Sequence, residues 1–123
     1  ILIIEDDDYH YLLLEEILSG HGYTCIRAAH AAEAIEIFQK HKPFQMVLLD
    51  LRLPGKDGFE IATEIRAIDK QIPIIAVTAY AQYLSQNLTE LGDFDAFVTK
   101  PIQSFTLMTT LKKVLAQTAH RYY

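Results

Sequence analysis

Asp50 closes the apolar run Met46-Val47-Leu48-Leu49, and a carboxylate directly behind such a run invites a chemical reading. A charged carboxylate is costly to bury, so Asp50 belongs at a strand's carboxyl end, at the mouth of a crevice. Three further runs end on polar groups. Ile1-Leu2-Ile3-Ile4 leads into Glu5-Asp6-Asp7-Asp8, Ile74-Ile75-Ala76-Val77 into Thr78, and Asp95 to Thr99 into Lys100. Glu5, Asp6 and Asp50 at one mouth repel one another unless a cation joins them. Hard oxygen ligands with room for water suit Mg²⁺, which takes one or two carboxylates plus a phosphoryl oxygen. The Lys100 amine and the Thr78 hydroxyl would meet the remaining phosphoryl oxygens. Metal, amine and hydroxyl around one carboxylate describe an acyl-phosphate site with Asp50 as nucleophile.

Each piece alone also has a plainer reading. Glu5 to Asp8 fits a solvated charge run with a helix cap, Thr78 a β-former, Lys100-Pro101 a turn, and Asp50 a strand-ending turn residue. Their joint placement, at the ends of four strands out of five, is what the plainer readings leave unexplained.

The elements that must position these groups follow from periodicity. Ile1 to Ile4 reads as a central strand buried on both faces. Leu13, Leu14, Ile17 and Leu18 form the stripe of a first helix, stopped by Gly20 and Gly22. Tyr23 to Ala28 is a weaker, edge-like strand, and Ala31, Ala34, Ile35 and Phe38 mark a second helix closed by Pro43. After the strand ending at Asp50, Pro54 and Gly55 signal a turn. Asp57 is placed to cap a third helix with Ile61, Ile65 and Ile68 inward. Pro73 to Thr78 is the fourth strand, Leu84, Leu88 and Leu91 a short fourth helix closed by Gly92, and Asp95 to Thr99 the fifth strand. Ser104 can cap a final helix with Leu107, Leu111, Val114 and Leu115 inward. Five strands alternating with five helices imply parallel βαβ crossovers and a sheet covered on both faces.

Composition bounds the function. The 123 residues read as one domain, 1–123, and half are hydrophobic, enough for a real core. Eleven Lys and Arg against sixteen Asp and Glu give a formal charge of −5, which argues against direct nucleic-acid binding. No apolar run is long enough to span a membrane, and no signal-peptide pattern is present. Cys25 is the single cysteine, so no internal disulfide forms, and the expected location is the cytoplasm. Ile1 lies inside an apolar run with no Met before it, which reads as a piece of a longer protein. His10, His21, His30 and His41 have no i, i+4 partner and read as surface or helix-end residues, not metal ligands. Tyr11 and Leu18 share a flank of the first helix and read as core packing before a docking patch.

The succession ILIIEDD, MVLLDLRLPGKDG, IIAVTAY and FVTKP resembles the receiver domain of bacterial two-component response regulators, across nearly the whole chain. The resemblance implies a flavodoxin-like (βα)5 sandwich, a single α/β domain with a five-stranded parallel sheet in order 2-1-3-4-5. It implies Asp50 as the phosphoacceptor, Asp6 as a direct Mg²⁺ ligand, Glu5 acting mainly through water, and the Arg52 backbone carbonyl as a further ligand. Thr78 and Lys100 would contact the phosphoryl group, Phe97 stands at the switch aromatic, and the Lys100–Pro101 bond would be cis. Arg52 and Tyr80 would line the rim. The phosphoryl group would come from a histidine kinase or a histidine phosphotransfer protein. The switched surface would be the face of the fourth helix, fifth strand and fifth helix (α4-β5-α5), open to an output domain or a homodimer. Two residues depart from the commoner pattern: Glu5-Asp6 for Asp-Asp, which favours a parent hybrid histidine kinase, and Phe97 for Tyr. The competing classes are a phosphorylation-independent interaction module on the same fold, a flavin carrier and a phosphatase. The intact set Asp6, Asp50, Thr78 and Lys100 speaks against the first. Glu5 to Asp8 would repel a flavin phosphate, and a dehalogenase-type phosphatase would place its nucleophile after the first strand.

Overall fold

The structure is a computed structural model that describes residues 1–41, 43–53, 56–79 and 92–122. Its main sheet consists of β1 (Leu2–Ile4), β2 (Ile26–Ala28), β3 (Val47–Asp50), β4 (Ile74–Thr78) and β5 (Ala96–Thr99). All pairings are parallel and the order is β2-β1-β3-β4-β5, as expected. Helices α1 (Asp8–Gly20), α2 (Ala31–His41) and α3 (Gly58–Ile68) alternate with the strands, and a C-terminal helix spans Ser104–Thr118. The expected Pro54-Gly55 turn and the helix through Leu84, Leu88 and Leu91 lie outside the described residues.

Strand alternation builds two cores. Leu2, Ile4, Val47, Leu49, Ile74 and Ala76 face α2 and α3 with Phe38, Ile61 and Ile65. Ile3, Leu48, Ile75, Val77 and Val98 face α1 and the C-terminal helix with Leu14, Leu18, Leu107 and Leu111. Each such fully buried side chain stabilises the fold by about 1.5–3 kcal/mol, which explains why β1, β3 and β4 are apolar on both faces.

The caps differ in quality. Asp7 caps α1 by accepting the His10 N–H at 2.9 Å, and Asp57 caps α3 by accepting the Phe59 N–H at 2.6 Å. Ser104 does not cap the last helix. Gln103 occupies that position without a side-chain hydrogen bond, and Ser104 is the first helical residue. Gly22, at φ +88°, takes the left-handed conformation beyond α1, while Gly20 remains helical. Leu18 is core, as read, and Tyr11 packs against that core with the Arg27 guanidinium 4.9 Å from its ring centroid. The exposed apolar side chains of α1 are instead Tyr9 and Leu12.

Candidate functional site

Parallel strands deliver their carboxyl ends to one edge, and side-chain alternation decides which groups meet there. Ile4 pairs with Leu49 in register, so Glu5 and Asp50 follow at the same level on adjacent strands. Glu5 continues the alternation of Ile3, Asp50 that of Leu48, and Lys100 that of Val98. All three therefore turn toward the side of α1 and the C-terminal helix. The Lys100 Nζ lies 3.0 Å from Glu5 Oε1 and 3.0 Å from Asp50 Oδ2, with 15% of its side chain exposed. The Asp50 Oδ1 accepts the Arg52 backbone N–H at 2.8 Å. Each oxygen of Asp50 thus has its own donor.

Glu5 and Asp50 are buried and Asp6 is exposed, and one carboxylate oxygen from each falls within 4.8 Å of the others. Glu5 Oε2 is fully buried without a hydrogen-bond partner. An orphaned carboxylate oxygen beside two further carboxylates is the donor set that a hard divalent cation satisfies, and the residues fit Mg²⁺.

The electrostatics follow from this crowding. Burial first, and then the adjacent Asp50 carboxylate, push Glu5 up to about 8, against the pull of Lys100. Asp50 moves the other way. Burial acts upward on it, but bonds from Glu5, from the Arg52 N–H and from Lys100 outweigh burial and hold it below the usual carboxylate range. Lys100 is likewise opposed by burial and raised by Asp50 and Glu5. These directions favour negative charge on Asp50 beside the Lys100 ammonium, and the proton of the acid pair on Glu5.

Thr78 is buried at the end of β4, and its carbonyl accepts the Lys100 N–H at 2.7 Å. The Lys100–Pro101 peptide is cis, as expected. Phe97 is buried, its ring 5.3 Å from that of Phe94. Arg52 is exposed beside Asp50, whereas Tyr80 lies outside the described residues.

Three residues escaped the sequence reading. His10, read as a surface residue, places its Nδ1 3.1 Å from both Lys100 Nζ and Glu5 Oε1. Its signal was the spacing from the Asp7 cap, which sets the ring one turn into α1, over the acidic mouth. Arg27 binds the Glu5 carbonyl at 3.1 Å and Asp8 Oδ1 at 2.8 Å, fixing the loop that carries the acids. Gly58 sits against the end of β3 so closely that an added Cβ would lie 2.7 Å from Leu51 Cα and 3.1 Å from Asp50 O. Neither of the latter two has a local sequence signal, because both contacts join elements separated along the chain or across a loop.

An open parallel sheet with an acidic trio and a lysine at its carboxyl edge defines a class of α/β proteins that bind ligands at that edge. The family profile described as response regulator receiver domain matches residues 1–112, and the chain belongs to that family. It is 36% identical over 116 residues to sporulation initiation phosphotransferase F of Bacillus subtilis, covering 94% of this chain and 92% of that protein. It is 30% identical over 117 residues to the polar-differentiation response regulator DivK of Brucella anthropi, covering 94% of each. Among solved structures, the CheY-like receiver domain protein of Methanospirillum hungatei superposes with a TM-score of 0.86 at 26% identity, covering 98% of this chain and 95% of that one. The receiver domain of a sensor histidine kinase from Pseudomonas aeruginosa, which holds a magnesium ion in its active-site cleft, superposes with a TM-score of 0.81 at 28% identity, covering 94% and 95%.

Proposed function

We propose that this receiver domain accepts a phosphoryl group on Asp50 from a phosphohistidine of a histidine kinase or phosphotransfer protein, with Mg²⁺ held by Asp6, Asp50 and Glu5. The observation that carries the reading is Lys100, bonded at once to Glu5 and to an ionised Asp50 beside a third carboxylate. Asp50 Oδ2 attacks phosphorus in line, the P–N bond breaks, and the imidazole leaves with the electron pair. Phosphoryl charge building on Oδ2 arises next to the Lys100 ammonium, and the Arg52 N–H fixes the carboxylate through Oδ1. When bound, Mg²⁺ supplies positive charge to the phosphoryl oxygens and removes the repulsion among the three acids. The Arg52 carbonyl is the remaining ligand by resemblance.

The domain catalyses its own phosphorylation and hydrolysis and turns over no free substrate. A phosphoryl group on Asp50 gives the Thr78 hydroxyl a new acceptor, and the resulting shift changes the packing of the buried Phe97, and so the face around β5 read by an output domain or a second copy. By the resemblance, Arg52 and Tyr80 would line the rim and limit water's approach to the acyl phosphate. The location consistent with this chemistry is the cytoplasm, and among the described residues no helix is long and apolar enough to cross a membrane.

Incubation with Mg²⁺ and a small phosphodonor, followed by intact-mass analysis, tests the assignment. Wild type should gain one phosphoryl group and Asp50→Asn none. Equal modification of both would place the acceptor elsewhere.

A further inference from the structure

We infer that His10 is a positioning residue that holds Lys100 through Nδ1. The inference rests on the reading of Asp50 and Lys100 given above. An ammonium has three N–H donors and no acceptor. Lys100 has three acceptors around it: Glu5 Oε1 at 3.0 Å, Asp50 Oδ2 at 3.0 Å and His10 Nδ1 at 3.1 Å. One hydrogen serves each. Nδ1 therefore presents a lone pair, and the ring proton sits on Nε2. The 3.1 Å approach of Nδ1 to Glu5 Oε1 is then the spacing of two acceptors that share one ammonium. Asp7 Oδ1, at 3.7 Å from Nδ1, is beyond hydrogen-bonding reach.

The placement of His10 is determined locally. Its backbone N–H is the one bound by the Asp7 cap, and its ring meets the Tyr9 ring edge-on at 5.8 Å. The three acceptors differ in what becomes of them. Glu5 and Asp50 are the carboxylates that the metal and the phosphoryl group would claim. His10 is the only one of the three outside that set. It keeps the amine aimed at the phosphoryl position when its carboxylate partners are otherwise engaged, and it does so from the rim, with 37% of its side chain exposed. A side chain of similar size without an acceptor would leave the amine free to turn to water.

The test uses the full chain with His10→Leu, which removes the acceptor, and His10→Gln, which restores one. In the metal-free protein, ¹⁵N NMR of the His10 ring should show the Nε2–H tautomer, and Lys100→Met should shift the Nδ1 resonance. With saturating Mg²⁺ and a small phosphodonor, His10→Leu should be phosphorylated about tenfold more slowly, the worth of one hydrogen bond to a charged group. His10→Gln should recover most of that loss. A Nδ1–H tautomer, an Nδ1 resonance indifferent to Lys100→Met, or a Leu variant as fast as wild type would overturn the inference. So would a Gln variant no faster than Leu. A wild type that takes no phosphoryl group defeats the reading of the site instead, and the NMR result still decides the role of His10.

Discussion

A glutamic acid raised to about 8 makes the metal-free protein sensitive to alkali through Glu5. Its folded pKa lies above the ordinary 4.5, so the folded state binds the proton more tightly than the unfolded chain. Stability should then fall as pH rises from about 4.5 to about 8, and level off beyond. Asp50 has the opposite sign. Its depressed pKa contributes stability above the usual carboxylate range, lost on acidification below it. Glu5→Gln, which keeps the shape and removes the charge, should flatten the fall between about pH 4.5 and about pH 8 in thermal melts. A melting temperature that still drops in that variant would assign the slope to another group. Mg²⁺ competes with the Glu5 proton, so its affinity should rise across the same window.

At the scale of the element, the junction between β3 and α3 sets where Asp50 sits. Gly58 donates its N–H to the Leu51 carbonyl at 3.2 Å and has no room for a side chain against Leu51 Cα. Both neighbours are backbone, which cannot rotate away. Gly58→Ala should cost about 2 kcal/mol in urea unfolding and slow phosphorylation, because the displaced atoms belong to Asp50 and Leu51 at the end of β3. Asp57→Ala removes only the α3 cap and should cost about 1 kcal/mol with phosphorylation nearly unchanged. If the two variants slow the reaction equally, the close contact of Gly58 has no special part in holding Asp50.

Across the molecule, the opposite end of the sheet is closed by a charge network centred on Asp95. Arg66 of α3 donates to Asp95 Oδ2 at 3.1 Å, to the Asp93 carbonyl at 3.0 Å and to the Ile72 carbonyl. Arg121, in the 3₁₀ turn Ala119–Tyr122, binds Asp95 Oδ1 at 2.5 Å, and Oδ2 also accepts the Ile74 N–H at 3.0 Å. The 3₁₀ turn is thus tied to the start of β5 through Arg121. Asp95→Ala takes the carboxylate from two guanidinium groups and the acceptor from the Ile74 N–H, and should cost about 3 kcal/mol. Arg121→Ala breaks one partly exposed pair and should cost about 1 kcal/mol or less. Equal losses in the two variants would show that Asp95 is not the hub. On the proposed reading Mg²⁺ would bind the trio of acids in the folded state alone, so it should raise the melting temperature of wild type, and Asp6→Ala should remove that rise.

The sequence by itself determined the strand order's raw material and most of the residues that the fold brings to the candidate site. Strands buried on both faces must be continuously apolar, so a polar residue marks their end, and parallel crossovers bring all such ends to one edge. Asp50, Glu5, Asp6, Thr78 and Lys100 were legible for that reason. The Asp57 cap was legible because its hydrogen bond closes within two residues. Only the tertiary structure decided which of those groups touch. Lys100 meets Glu5 across 95 positions of chain and Asp50 across 50, through side-chain alternation on three different strands. It also decided that His10 joins them, that Phe97 is buried, and that Gly58 has no space. Those facts depend on distances between elements, which no periodicity within one element encodes.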